Sequence, residues 1–147
     1  MSDTIWADGS WEQAAAHVIA DYELRQTHGH PTPYREMFDR GLMWALARRA
    51  WGELIECGHE WHQHDQVNLL ASKQHDYGNE NVNKFGEEGI RVRLWDKISR
   101  YENLCRRGVG PANESLADTL RDMIGYVVLW GMVRDGTFSR PLSGDMP

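Results

Sequence analysis

The chain has 147 residues, the size of one domain and enough to bury a core without disulfides or a structural metal. Its composition, 41% hydrophobic and 26% charged, is that of a soluble globular protein, and a net charge of −6 excludes a global basic footprint for long nucleic acid. No run of about 18 apolar residues is present, so no membrane-spanning helix is expected. "MSDTIWADGS" lacks the basic start and apolar centre of a secretory signal. Cys57 and Cys105 have no CxxC or metal spacing and read as reduced thiols of a cytoplasmic protein.

Almost every periodic segment repeats at 3.6 residues, and no alternating β-branched run is found, so the expected fold is an all-α, single-domain bundle of about five helices. Ser10 and Gln13 form a capping-box pattern that opens a helix over about 11–26. "THGHPTP" stops it, giving an N-terminal helix and Pro/Gly linker over 1–34 and a helical core over 35–134. A second helical region covers about 35–61, and Gly41, Gly52 and Gly58 within it allow two shorter helices. A third helix starts at Asp65 as N-cap and ends near Asp76, before Gly78. The stretch from Asn79 to Gly89 reads as a loop. The fourth helix, about 90–107, presents Ile90, Leu94, Ile98, Tyr101 and Cys105 on one apolar face. Asn113 is placed to cap a fifth, about 114–133, with a core stripe of Leu116, Leu120, Met123, Val127 and Trp130. The tail, 135–147, is rich in Gly, Ser and Pro and reads as a loose surface segment.

The last helix carries a row of carboxylates. Glu114, Asp118 and Asp122 step by four and share one face. Three carboxylates so placed repel unless something positive meets them. The row is either a solvated acidic face near a helix start or a site for Mg²⁺ or Mn²⁺, hard cations that take carboxylate oxygens and leave positions for phosphate. The fourth helix supplies the opposite charge: Arg93, Lys97 and Arg100 occupy one sector at the edge of its apolar face. Arg matches phosphate oxygens as a fork and Lys as a point charge. The alternative is salt bridging between the two strips.

"KQHDYG" adds Lys73 and Asp76 to one side of the third helix, Lys73 for phosphate and Asp76 for metal, or both as ordinary helix-end polarity. Upstream, "GELIE" offers Glu53 and Glu56 as a paired-carboxylate motif that is also common on surfaces. "HEWHQH" is not HExxH, because Gln63 stands where the second histidine is needed. Seven tryptophans would fill a helical core or line a site for a flat ligand. Signatures of P-loop, dinucleotide-binding and hydrolase-elbow proteins are missing.

Lys73, Asp76, Tyr77 and Gly78, then Arg93, Asp96, Lys97 and Arg100, then Asp118, Asp122 and Tyr126, stand in the order K-x-x-D-Y-G, R-x-x-D-K-x-x-R and D-T-L-x-D-x-x-x-Y. This resembles the phage and bacterial family called nucleotide modification associated domain 1, over about residues 69–133. A looser likeness is to the MazG-like all-α nucleoside triphosphate pyrophosphohydrolases and the dimeric dUTPases, which hold Mg²⁺ with an ExxE on one helix and an ExxD on a later one. Glu53 and Glu56 would match the first pair, and Glu114 and Asp118 the second, although the latter are spaced by four and not three.

The resemblance implies a metal-dependent hydrolase of (deoxy)nucleoside triphosphates, releasing monophosphate and pyrophosphate in phage or bacterial nucleotide metabolism. A non-catalytic nucleotide-binding or interaction module is the alternative. On the catalytic reading, Asp118, Asp122 and Glu114 carry the chemistry. Asp76, Asp118, Asp122, Glu53 and Glu56 supply the Mg²⁺ or Mn²⁺ ligands. Lys73, Arg93, Lys97 and Arg100 hold phosphates. The likeness also implies a homo-oligomer, in the host cytoplasm if phage-encoded.

Overall fold

The computed structural model describes residues 6–24, 32–108, 110 and 115–147. Among these, seven α-helices and one short 3₁₀ turn, Ser143–Asp145, make an all-α bundle with no strand. They are α1 (Trp11–Leu24), α2 (Tyr34–Asp39), α3 (Met43–Glu56), α4 (Gln63–Tyr77), α5 (Glu80–Asn83), α6 (Gly86–Arg107) and α7 (Leu116–Asp135).

Helix α7 is the central element. It packs most extensively against α6 and α3 and also touches α1 and α4. The expected stripe is buried at Leu120, Met123 and Val127, but Leu116 and Trp130 are only partly covered. Ile124, Val128 and Met132 are buried as well, so the C-terminal half of α7 is enclosed on nearly every side. From α6, Ile90, Leu94 and Ile98 fill the space beside it; from α3, Leu46, Ala50 and Leu54 do the same. Each such side chain contributes about 1.5–3 kcal/mol by leaving water.

The expected region over 35–61 is two helices. Gly41 sits at the break with φ +69°, a left-handed conformation that a β-carbon disfavours. Helix α4 begins at Gln63 after His62, so Asp65 lies in its first turn and is not the N-cap. Gly78 ends it as expected, at φ +69°. The expected loop from Asn79 contains α5, and α6 starts four residues earlier than Ile90, at Gly86. Ser115 caps α7, its Oγ accepting the Asp118 N–H at 3.1 Å. Asn113, expected in that role, lies outside the described residues.

At the other end, Ser10 Oγ accepts the Gln13 N–H at 3.2 Å, and the Gln13 side chain reaches back to the N–H of Gly9 at 2.8 Å. The capping box is thus shifted by one residue at its return bond. The C-terminal segment is not loose. Phe138 is 3% exposed, packed edge-on to Trp11, and the backbone N–H of Trp11 donates to the Pro141 carbonyl at 2.8 Å. Ser143 N–H donates to Glu12 Oε1 at 2.9 Å, and the Ala7 N–H to Ser143 Oγ at 3.1 Å. The first turn of a helix has N–H groups without internal acceptors, and the returning tail meets that need at α1.

Candidate functional site: a cationic cleft beside α7

Helices α4, α5, α6 and α7 enclose a cleft of about 470 Å³. The volume lies within the range of roughly 300–1,000 Å³ typical of small-molecule sites. Its depth depends on Gly125. A β-carbon there would come within 3.0 Å of Leu70 Cδ2 and 3.3 Å of Gln66 Nε2, so the glycine lets α4 lie close against α7.

One wall is charged. Lys73 of α4 places Nζ 3.4 Å from Asp122 Oδ1, and Lys97 of α6 places Nζ 2.9 Å from Asp122 Oδ2. Asp122, on α7 and only 16% exposed at its side chain, therefore bridges ammonium groups from two other helices. Its neighbour Arg121 lines the cleft and meets the half-exposed Asp118 at 3.2 Å. Arg93 also lines the cleft and donates to the Asn81 carbonyl at 3.2 Å, fastening α5 to α6. Four cations thus stand against two carboxylates, Asp118 and Asp122, leaving the region with an excess of positive charge. At the foot of this wall is Tyr126. Burial pushes its phenol above the ordinary tyrosine value; Asp122 adds to this, while Lys97, Arg93 and Lys73 pull it back.

The other wall is mainly apolar: Leu69, Leu70, Val82 and Leu129, with Tyr77 at the mouth. Tyr77 is 69% exposed, an uncommon position for so large an aromatic side chain.

The four residues expected to hold phosphates are placed differently. Lys73 and Arg93 line the cleft, and Lys97 reaches its carboxylate from behind. Arg100 does not line it; its guanidinium donates to the buried Thr119 hydroxyl, one turn nearer the start of α7. Arg121 also lines the cleft, a place not expected from the sequence, although its i,i+3 spacing from Asp118 on α7 was visible there.

The expected shared metal shell is not assembled. Asp76 is 74% exposed at its side chain and faces His75 at 3.2 Å, so "KQHDYG" contributes its lysine and tyrosine to the cleft but not its aspartate. The reason is rotation about the helix: Lys73, Gln74 and Tyr77 share the face of α4 turned to the cleft, and Asp76 lies off that face. Glu53 belongs to another network. It accepts the Tyr101 hydroxyl at 2.5 Å and pairs with Arg49 at 3.1 Å, tying α3 to α6. Glu56 is exposed, and Glu114 lies outside the described residues. Asp118 and Asp122 are engaged by Arg121 and by the two lysines.

Among the described residues, no three His, Cys, Asp or Glu side chains come together in a way that could hold a metal ion. This covers the His59–His64 segment, where His62 pairs with Glu60 and His64 stacks on Trp6. The described carboxylates therefore do not gather into the five-residue shell expected from Asp76, Asp118, Asp122, Glu53 and Glu56. Cys57 and Cys105 are free and exposed, and no described helix is long and apolar enough to cross a membrane.

The chain matches no family model, no curated protein and no solved structure. The resemblance to nucleotide modification associated domain 1 rests on the motif residues themselves. Five of those eleven residues line the cleft, from three helices: Lys73 and Tyr77 from α4, Arg93 from α6, and Asp122 and Tyr126 from α7.

Proposed function

We propose that the chain binds a nucleotide in this cleft, with the phosphates against Lys73, Arg93 and Arg121 and the base against the apolar wall at Tyr77. The observation that carries the reading is the two-sided cleft: cations on one wall, apolar and aromatic side chains on the other, in a volume suited to a small molecule. A polyphosphate would gain charge-assisted hydrogen bonds from the arginine forks and lysine ammoniums. An exposed tyrosine offers a face on which any base would stack.

Of the two readings drawn from the sequence, the binding module is the better supported. The hydrolytic reading requires carboxylates gathered on a metal, and those described here are dispersed or paired with cations. Calorimetric titration with the four deoxynucleoside triphosphates and with inorganic tripolyphosphate, with and without Mg²⁺, tests the proposal. Chromatography of the same mixtures reports any monophosphate and pyrophosphate. Saturable binding without Mg²⁺ and without turnover is the expected result. Absence of binding would overturn the reading, and Mg²⁺-dependent pyrophosphate release would restore the catalytic one.

A further inference from the structure

Asn81 of α5 lines the cleft four residues after Tyr77. Its two oxygens are in different states. The backbone carbonyl accepts a hydrogen bond from the Arg93 guanidinium at 3.2 Å. The side-chain oxygen, Oδ1, is shut off from solvent and meets no donor among the described residues. A buried acceptor in this state is costly and uncommon. The backbone around it is held in place. Gly78 turns the chain out of α4 at φ +69°, Val82 is 5% exposed, and the Gln74 carboxamide donates to Asn79 Oδ1. The remaining freedom is in the Asn81 side chain. Its terminal torsion is broad, so the oxygen can swing to a donor in the cleft without movement of the backbone.

Resting on the nucleotide reading above, we infer that Asn81 is the specificity-determining acceptor for the sugar, taking a hydrogen bond through Oδ1 from one ribose or deoxyribose hydroxyl. Position and chemistry agree. In a nucleotide the sugar lies between the base and the phosphates. Asn81 lies between Tyr77, assigned to the base, and Arg93, which is assigned to phosphate and holds the Asn81 carbonyl. Oδ1 can only accept, and a sugar hydroxyl can donate. An ionised phosphate has acceptors alone and cannot serve it. The donors on a base edge change from base to base, whereas a sugar hydroxyl is the same whichever base is bound. A nucleotide without that hydroxyl leaves Oδ1 unmet, so discrimination follows without any steric clash.

The test titrates the ribo, 2′-deoxy and 2′,3′-dideoxy nucleoside triphosphates of the common bases into the protein by calorimetry, so that each step removes one hydroxyl. Tripolyphosphate is the phosphate-only probe. In the native protein, one of the two steps should weaken binding about tenfold, the size of one hydrogen bond. In Asn81→Ala that step should vanish while tripolyphosphate binds as before. Asn81→Asp keeps an acceptor oxygen, and provides a second test should Asn81→Ala fail to fold. It should retain the step, although its charge weakens binding of every nucleotide. Indifference of the native protein to both steps would overturn the inference. So would a step that persists undiminished in folded Asn81→Ala, or one that disappears in Asn81→Asp. A native protein that binds neither nucleotide nor tripolyphosphate would instead overturn the underlying reading.

Discussion

The Lys97 ammonium lies 2.9 Å from Asp122 Oδ2, joining α6 to α7, while Lys73 of α4 approaches the other oxygen of the same carboxylate. Asp122 therefore neutralises part of the charge that would otherwise repel α4 from α6. If that is its main role, Asp122→Asn should bind tripolyphosphate at least as tightly as the native protein, because two lysines lose their internal counter-charge. A metal-ligand role would give the opposite result, loss of Mg²⁺-supported binding. The same variant should be less stable by about 1–3 kcal/mol, the cost of removing one side of a partly buried pair, as read in urea unfolding.

Arg93 and Lys73 should matter differently. Arg93 holds the α5 backbone as well as lining the cleft, so Arg93→Ala should lower both anion affinity and stability. Lys73 is half exposed, and Lys73→Ala should lower affinity about tenfold with stability changed by less than about 1 kcal/mol. Calorimetry beside thermal melts separates the two. Equal effects of both variants on stability would contradict the assignment.

Gly125 and Gly52 form a matched pair. A β-carbon at Gly52 meets nothing within 4 Å, and Gly52→Ala should stabilise the chain by about 0.5–1 kcal/mol through helix propensity. At Gly125 the same helix gain is offset by the approach of Leu70, and overpacking of this kind costs about 1–3 kcal/mol. Gly125→Ala should therefore be neutral to destabilising and should weaken ligand binding by pushing α4 away. A melt that rises equally in both variants would show that α4 yields without cost.

Stability should fall at alkaline pH. Burial first, and the nearby Glu53 carboxylate second, push Tyr34 and Tyr101 well above the ordinary tyrosine value of 10.0. A raised folded-state value means that the native state keeps its protons longer than the unfolded chain. The associated stability is complete below about pH 10 and is lost as the pH rises beyond it. Urea unfolding from about pH 8 to about pH 11 should show a plateau and then a decline, flattened in Tyr101→Phe. An unaltered slope in that variant would remove Tyr101 from the account.

The C-terminal segment should act as part of the core. Phe138→Ala removes a ring packed on Trp11, and such truncations cost about 3–5 kcal/mol. Ending the chain after Gly136 should be at least as damaging, because α1 also loses the Pro141 and Ser143 bonds at its first turn. A melting temperature unchanged by either alteration would return the tail to the surface.

The helices were legible because the 3.6-residue repeat and the capping residues act within a few positions of each other: Ser10 with Gln13, Gly78 after α4, and the apolar face of α6. The charged strips of α6 and α7 could be placed on their faces for the same reason. Which charges meet was not legible, because that depends on which face α4 turns to α7, decided by packing among residues far apart in sequence. So Lys73 reached Asp122 while Asp76, three residues on, faced solvent. Glu53 had the spacing of a ligand pair but was drawn to Tyr101 across the α3–α6 contact. Local chemistry determined the helices and their faces. The tertiary structure decided which of those faces share a cleft, because only close packing converts a residue on a helix into a neighbour of another.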